Sequence, residues 1–251
     1  MTMRVDGRDV NQIRPIKVTY GIYGNAHGSA LFEMGNTRIL CSVMMQDGVP
    51  RFLKGTGKGW LTAEYTLLPA STLTRTPREM SIMQKNGRST EISRLIGRSL
   101  RAVTNLKALG EKTLYIDCDV LQADGGTRTA AISGAYCALR HAVERWVQQG
   151  IIKEPLLHDD VAAVSVGLLN GQPLLDLNFS EDCKVDADFN FVMTGSGNII
   201  EIQGAAETKP ISADIVMQMQ QVAFKGIVAI LEMTNNTVLL PIFKTDQLQG
   251  S

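Results

Sequence analysis

Long apolar runs are missing from this chain of 251 residues. The longest apolar-looking stretch, Val161–Leu169, spans nine residues and includes Ser165 and Gly167, whereas a membrane-spanning helix takes about 20. A soluble chain without a membrane partner is expected. The opening residues, MTMRVDGRDV, contain no apolar centre of the kind a secretory leader carries. Cysteine is scarce, and Cys41, Cys118, Cys137 and Cys183 form no C-x-x-C pair. Free thiols in a reducing compartment, the cytoplasm, are therefore expected. The three histidines have no zinc-ligand spacing to one another or to a cysteine. His158, before Asp159 and Asp160, reads as part of a polar turn, and His141, beside Arg140, as a surface residue.

Several nucleotide and hydrolase signatures are missing too. The stretch 55–59 (GTGKG) has the composition of a phosphate-binding loop but lacks the G-x-x-x-x-G-K-[ST] spacing. There is neither a complete dinucleotide fingerprint nor a G-x-S-x-G elbow. Triphosphate hydrolysis, dinucleotide redox chemistry and serine-hydrolase chemistry lose their support.

Net charge is zero, with 25 basic and 25 acidic residues, which excludes a polycation or an acidic-tail protein. The cancellation occurs between segments. From Arg51 to Gly110 eleven basic residues face three acidic ones, a net of +8. From Glu154 to Val216 eleven acids face two lysines, a net of −9. A basic segment attracts polyanions such as nucleic acid, and an acidic one repels them unless its carboxylates hold a divalent cation. Two halves complementing each other across an internal interface is a compatible reading. With 44% hydrophobic and 20% charged residues, composition is that of a globular chain with a sizeable core.

The pattern along the chain predicts strands over Ile16–Tyr23, Ser29–Met34, Arg38–Met44 and Gly59–Leu68, separated by glycine-containing turns. Residues 69–87 carry two prolines and no sustained period, so a long functional loop is expected. Arg88–Leu106 has helical periodicity, with Arg94, Arg98 and Arg101 forming a basic ridge. A strand over Thr113–Leu121 and a helix over Thr127–Val147 follow. In the second half, Val161–Leu169 and Leu174–Phe179 flank Asn170-Gly171, a strong hairpin signal. Strands Phe189–Met193 and Ile199–Gln203 and a helix over Ser212–Met233 complete the order. This order predicts an α+β fold of two similar β/α halves within one compact domain, since no linker separates them.

Two local patterns carry chemistry. The stretch 122–129 (QADGGTRT) is a glycine turn between a strand and a helix. Such a junction directs free backbone N–H groups and the positive end of the helix dipole at one point, which suits an anion. Thr127 adds a hydroxyl, and Arg128 a forked cation that matches phosphate oxygens. Capping of the helix by Asp124 or Thr127 is the plainer alternative. The second pattern is the carboxylate cluster of Glu181, Asp182, Asp186 and Asp188. Carboxylates this dense repel unless they share a cation such as Mg²⁺ or keep a proton on one member. A solvated acidic turn is the alternative there.

The stretches 48–55 (GVPRFLKG), 59–65 (GWLTAEY), 86–89 (NGRS), 94–101 (RLIGRSLR), 117–129 (DCDVLQADGGTRT), 161–167 (VAAVSVG) and 192–194 (VMT) occur in one order and together resemble the bacterial ribonuclease PH family. The resemblance runs from about Arg4 to Leu231 and leaves the tail, Asn235–Ser251, without a role. It implies a two-halved fold of the ribosomal protein S5 domain 2-like kind, and a phosphate-dependent 3′-to-5′ exoribonuclease, or tRNA nucleotidyltransferase. Such an enzyme trims tRNA precursors, takes part in ribosomal RNA processing and releases nucleoside diphosphates. It further implies Mg²⁺, inorganic phosphate as co-substrate, and a homohexamer built as a trimer of dimers. By the same resemblance the phosphate site falls on Arg88, Gly126, Thr127 and Arg128, and the catalytic or metal-holding carboxylates fall on Asp182 and Asp188. Of three loop arginines expected for tRNA, Arg75 and Arg78 are present and the first position is Ala70. The acidic turn departs from the family with Cys183-Lys184-Val185 and with Asp186 where Glu is frequent. An inactive RNA-binding ring subunit is the competing expectation, although such subunits lack the arginines or aspartates present here.

Overall fold

A computed structural model describes residues 4–78 and 86–235. Among the described residues, two sheets and five α-helices pack around one large apolar core to which both halves of the chain contribute, with a small separate cluster of Leu174, Leu177 and Val185. The first sheet contains β1 (Ile16–Tyr20), β2 (Gly28–Met34), β3 (Thr37–Asp47), β4 (Trp60–Leu67) and β5 (Lys112–Gln122), in the order β1-β2-β3-β5-β4. All neighbours are antiparallel except β4 and β5. That parallel pair needs a long crossover, supplied by α1 (Gly87–Arg101) and the short α2 (Leu106–Leu109). The second sheet, order β7-β6-β8-β9, is wholly antiparallel: β6 (Val161–Leu169), β7 (Gln172–Leu175), β8 (Ala187–Thr194) and β9 (Ile199–Ala206).

Helix α3 (Thr127–Gln148) packs on β2 and β3 on one side and on β6 on the other, so it lies between the sheets. Its alanines 130, 131, 135, 138 and 142 are all fully buried and allow close approach on every side. At Gly28 on β2 an added Cβ would lie 2.3 Å from the carbonyl oxygen of Ala138, so only glycine fits there. Helix α5 (Ala213–Asn235) is long and apolar enough to cross a membrane. It is instead laid along β6 and β1, with Met219, Ala223, Ile227 and Ile230 buried.

Four expectations are corrected. The helix read as Arg88–Leu106 ends at Arg101, and α2 restarts with Asn105 capping the Ala108 N–H. The strand expected over Leu174–Phe179 stops at Leu175, because Asp176 takes a left-handed backbone (φ 55°) and Asn178 caps a new helix, α4 (Phe179–Asp182). The first strand likewise stops at Tyr20, before Gly21 at φ 73°. His141 is 3% exposed rather than on the surface, and it packs on Tyr20. The helix reaches solvent chiefly in its last turns, at Glu144, Val147 and Gln148, beyond His141, so a polar neighbour such as Arg140 does not mark exposure of the histidine. Asn170 and Gly171 both take positive φ, as the hairpin signal requires. Cys41, Cys118, Cys137 and Cys183 are free thiols. Part of the expected loop and nearly all of the tail, residues 79–85 and 236–251, lie outside the described residues.

Candidate active site

The glycine turn forms as its sequence dictates. Gly125 (φ 74°) and Gly126 (φ 64°) take left-handed backbone, and Gly126 is the N-cap of α3 with no side-chain cap bond. Neither Asp124 nor Thr127 caps the helix. The Thr127 hydroxyl, on a buried residue, accepts a 3.0 Å hydrogen bond from the Tyr65 phenol on β4. Burial raises the Tyr65 pKa, so the phenol keeps its proton and remains a donor, while Thr127, Arg88 and Arg128 oppose the shift. Arg128 is held between Gln203 Oε1 on β9 (3.2 Å) and Glu91 Oε2 on α1 (3.5 Å). Arg88 lies in the first turn of α1, where Asn86 accepts from its backbone N–H, and its side chain is exposed.

The carboxylate cluster separates into different roles. Glu181 is buried and turns inward, taking two bonds from the Arg4 guanidinium (2.7 and 2.6 Å). Asp186 braces the β6–β7 hairpin by accepting from the Asn170 N–H at 3.1 Å. Asp182, at the end of α4, and Asp188, on β8, line an open cavity of about 510 Å³ with Lys184, Glu207 and Thr208. Burial raises the Asp182 pKa, and the charge of Asp188 raises it further. Arg88 and Arg128 lower it, and Glu207 adds a smaller upward push. Arg88, Arg128 and the two aspartates therefore act within one local field. Among the described residues no group of three acidic, histidine or cysteine side chains has the geometry of a metal cage. Mg²⁺ usually takes one or two protein carboxylates and completes its shell with water and phosphate oxygens, so the pair of Asp182 and Asp188 fits such an ion.

The glycine turn and the acidic turn are in direct backbone contact. A Cβ on Gly125 would lie 2.7 Å from the Leu177 oxygen, the Asn178 carbonyl carbon and the Phe179 nitrogen. No side chain can be accommodated between them. The phosphate-suited end of α3 and the turn that carries Asp182 thus lie against each other although they come from different halves.

The basic ridge is less uniform than its spacing implies. Arg94 is exposed and lines a groove of about 350 Å³ between β4 and α1, together with Tyr65, Ser93 and Arg101. Arg98 makes a two-bond ion pair with Glu201 on β9 (2.7 and 3.0 Å). Arg101 stacks over the Trp60 ring at 4.6 Å and donates to the Leu61 oxygen. Arg75 and Arg78 are exposed beside the undescribed part of the loop. Sequence reasoning missed Tyr65, Glu91, Gln203 and Glu207, which reach the site from distant segments. It also missed Arg14, which gives no local signal.

The comparisons agree with this division into halves. Residues 12–143 match the first domain of the 3′ exoribonuclease family and residues 159–226 match its second domain. A ribonuclease PH of Syntrophomonas wolfei is 53% identical over 224 residues, covering 89% of this chain and 94% of the relative. One from Corynebacterium kroppenstedtii is 50% identical, covering 89% and 88%. Among solved structures, an Archaeoglobus fulgidus exosome with RNA bound to its active site superposes with a TM-score of 0.77 at 20% identity, covering 92% of each chain. That likeness shows a shared fold. With both family domains present in order and half of its residues shared with these relatives along nearly its whole length, the chain belongs to the ribonuclease PH group of the 3′ exoribonuclease family.

Proposed function

We propose that the chain is a phosphate-dependent 3′-to-5′ exoribonuclease that removes 3′-terminal nucleotides from tRNA precursors and takes part in ribosomal RNA processing. The observation that carries the reading is the backbone contact that sets the glycine turn of α3 against the turn bearing Asp182, near enough for the charges of Arg88 and Arg128 to act on Asp182 beside Asp188. An oxygen of inorganic phosphate attacks the phosphorus of the last phosphodiester. A new P–O bond forms, the bond to the 3′ oxygen breaks, and a nucleoside diphosphate leaves. The shortened RNA keeps the 3′ oxygen and gains a proton there.

Each residue has a task in that scheme. Arg88 and Arg128 hold the attacking phosphate, with Arg128 oriented by Gln203 and Glu91. The backbone N–H groups at the start of α3 and the Thr127 hydroxyl fix its rotation, and positioning of this kind supplies much of the acceleration in phosphoryl transfer. Asp182, with its raised pKa, is the group suited to hold a proton for the departing oxygen. In the alternative role Asp182 gives up that proton and, ionised beside Asp188, would hold Mg²⁺, which supplies neutralisation of charge on the scissile phosphate when bound. Arg75, Arg78 and Arg94 attract the RNA backbone without reading its bases. Assembly as a homohexamer, a trimer of dimers, in the cytoplasm belongs to the same proposal. The experiment is direct: an oligoribonucleotide is incubated with the protein and Mg²⁺, with and without inorganic phosphate. Diphosphate products that require phosphate support the reading, and monophosphates formed without phosphate refute it.

A further inference from the structure

Among the described residues, a buried network that the proposed chemistry leaves without a task ties the glycine turn to the acidic turn. Arg14, only 3% exposed, donates from Nε and from its backbone N–H to Asp176 Oδ2 (2.9 and 2.7 Å) and from Nη2 to Asp176 Oδ1 (2.7 Å). Its Nη1 donates to the Asp124 carbonyl oxygen at 2.5 Å, immediately before the two glycines. Asp176 is completely buried and sits at φ 55°, a left-handed conformation that persists in a non-glycine residue only where its surroundings enforce it. Arg8 adds a third cation contact to Asp176 at 3.2 Å. From Asp176 the chain runs straight into Asn178, whose capping box starts the α4 turn that ends in Asp182.

The two turns are joined a second time nearer the surface. Asp124 Oδ1 accepts from the Phe179 N–H at 3.3 Å, and Oδ2 from the Asn36 amide at 3.2 Å. Thr37 completes the frame by donating to the Gly125 oxygen (2.7 Å) and accepting from the Asp124 N–H (3.0 Å). None of these groups belongs to the proposed phosphate or carboxylate set.

We propose that Arg14 is a positioning residue for phosphorolysis: by gripping Asp176 and the Asp124 carbonyl together, and with the Asp124 carboxylate as an outer tie, it fixes the separation between the turn that holds phosphate and the turn that carries Asp182. The inference rests on the proposed function above. In-line attack tolerates little displacement, and a shift of about 1 Å imposed from outside the chemistry costs as much as 10²-fold. A planar fork is needed, because it bonds a carboxylate on one edge and a carbonyl on another, whereas an ammonium is a point donor.

The test uses the full chain with the variants Arg14→Lys, Asp124→Ala and Asp124→Asn, assayed for phosphorolysis over a range of phosphate concentrations. Thermal midpoint and assembly size are measured in parallel. Asp124 separates the possibilities by sign. If its carboxylate acts only through charge, removing it from beside an anion site lowers the phosphate KM in both variants. If it acts as a tie, Asp124→Ala raises the phosphate KM and lowers kcat, each by about tenfold, while Asp124→Asn keeps an acceptor for Phe179 and stays within about twofold of wild type. Arg14→Lys is expected to follow Asp124→Ala with its assembly size intact. The inference is overturned if both Asp124 variants leave or lower the phosphate KM. It is equally overturned if Arg14→Lys loses kcat only in proportion to lost folded protein, with the phosphate KM unchanged. Wild-type protein that releases no diphosphate refutes the proposed function itself, and the inference with it, whereas an active wild type with unaffected variants refutes the inference alone.

Discussion

The Tyr65 phenol makes a specific demand on phosphate recognition. Because it donates to Thr127 Oγ1 at 3.0 Å, the Thr127 hydrogen points away from Tyr65 and is available to an anion bound at the start of α3. Tyr65→Phe keeps the ring and its packing on β4 but releases this constraint. A net neutral hydrogen bond is worth about 0.5–1.5 kcal/mol, which at 1.4 kcal/mol per decade corresponds to about 2- to 12-fold in an equilibrium constant. The phosphate KM is therefore expected to rise by that factor, with the RNA KM unchanged. Since burial raises the phenol's pKa, it stays protonated and the effect is constant across neutral and mildly alkaline pH. A double-mutant cycle sharpens the assay: in a Thr127→Val background the hydroxyl is gone, so Tyr65→Phe has nothing further to remove. An unchanged phosphate KM in the single variant, or an undiminished effect in the Val background, refutes the argument.

Other expectations follow from the same geometry. Asp182→Asn and Asp188→Asn should each lower turnover by about 10²-fold, the scale for losing a positioned acid–base group, while assembly size is retained. The folded-state pKa of Asp182 lies above its ordinary 3.8, so its ionisation costs stability as pH rises through the folded value. In metal-free buffer Asp182→Asn should accordingly melt above wild type at pH 7, and the gain should vanish under acid where the wild-type carboxyl is protonated. Arg94→Ala should weaken RNA binding and flatten its salt slope by about 0.7, the single-strand value. Arg98→Ala should do so less, because Glu201 already neutralises that guanidinium, and filter binding over a salt series distinguishes them. Ala70→Arg should tighten tRNA binding and steepen its salt slope, also measured by filter binding, and no change in either would mean that this loop takes another path. Arg4→Met should cost about 3–5 kcal/mol in denaturant unfolding, because buried Glu181 keeps only the longer Arg8 contact at 3.4 Å, and Arg4→Met with Glu181→Met should recover most of it.

The features legible in the sequence were those determined by neighbouring residues. Asn170-Gly171 specifies a tight hairpin through two positive φ values, and Gly125-Gly126 specifies a turn into a helix, whatever the rest of the chain does. The two-sided burial of α3 was not legible, because an amphipathic stripe reports one packed face and this helix has a sheet on either side. Carboxylate density at 181–188 was visible, but direction was not. One member points inward to Arg4, one braces a hairpin, and Glu207 joins the remaining pair from beyond β9. Long-range ties such as Arg14–Asp176 join residues with no local pattern in common.

The charge asymmetry required the structure for its interpretation. The positive stretch 51–110 and the negative stretch 154–216 could have cancelled each other across the molecule. Among the described residues, only Arg98 and Glu201 form an ion pair between them. The buried acids Asp176 and Glu181 are instead satisfied from outside the basic stretch, by Arg4, Arg8 and Arg14 at the start of the chain. Arg75, Arg78 and Arg94 consequently remain exposed without an acidic partner among the described residues. Exposed guanidinium groups left unpaired in this way, leading along α1 towards Arg88, retain the field that draws in a polyanion. The N-terminal arginines thus satisfy the interior acids and leave the positive charge of the basic stretch available at the surface for RNA.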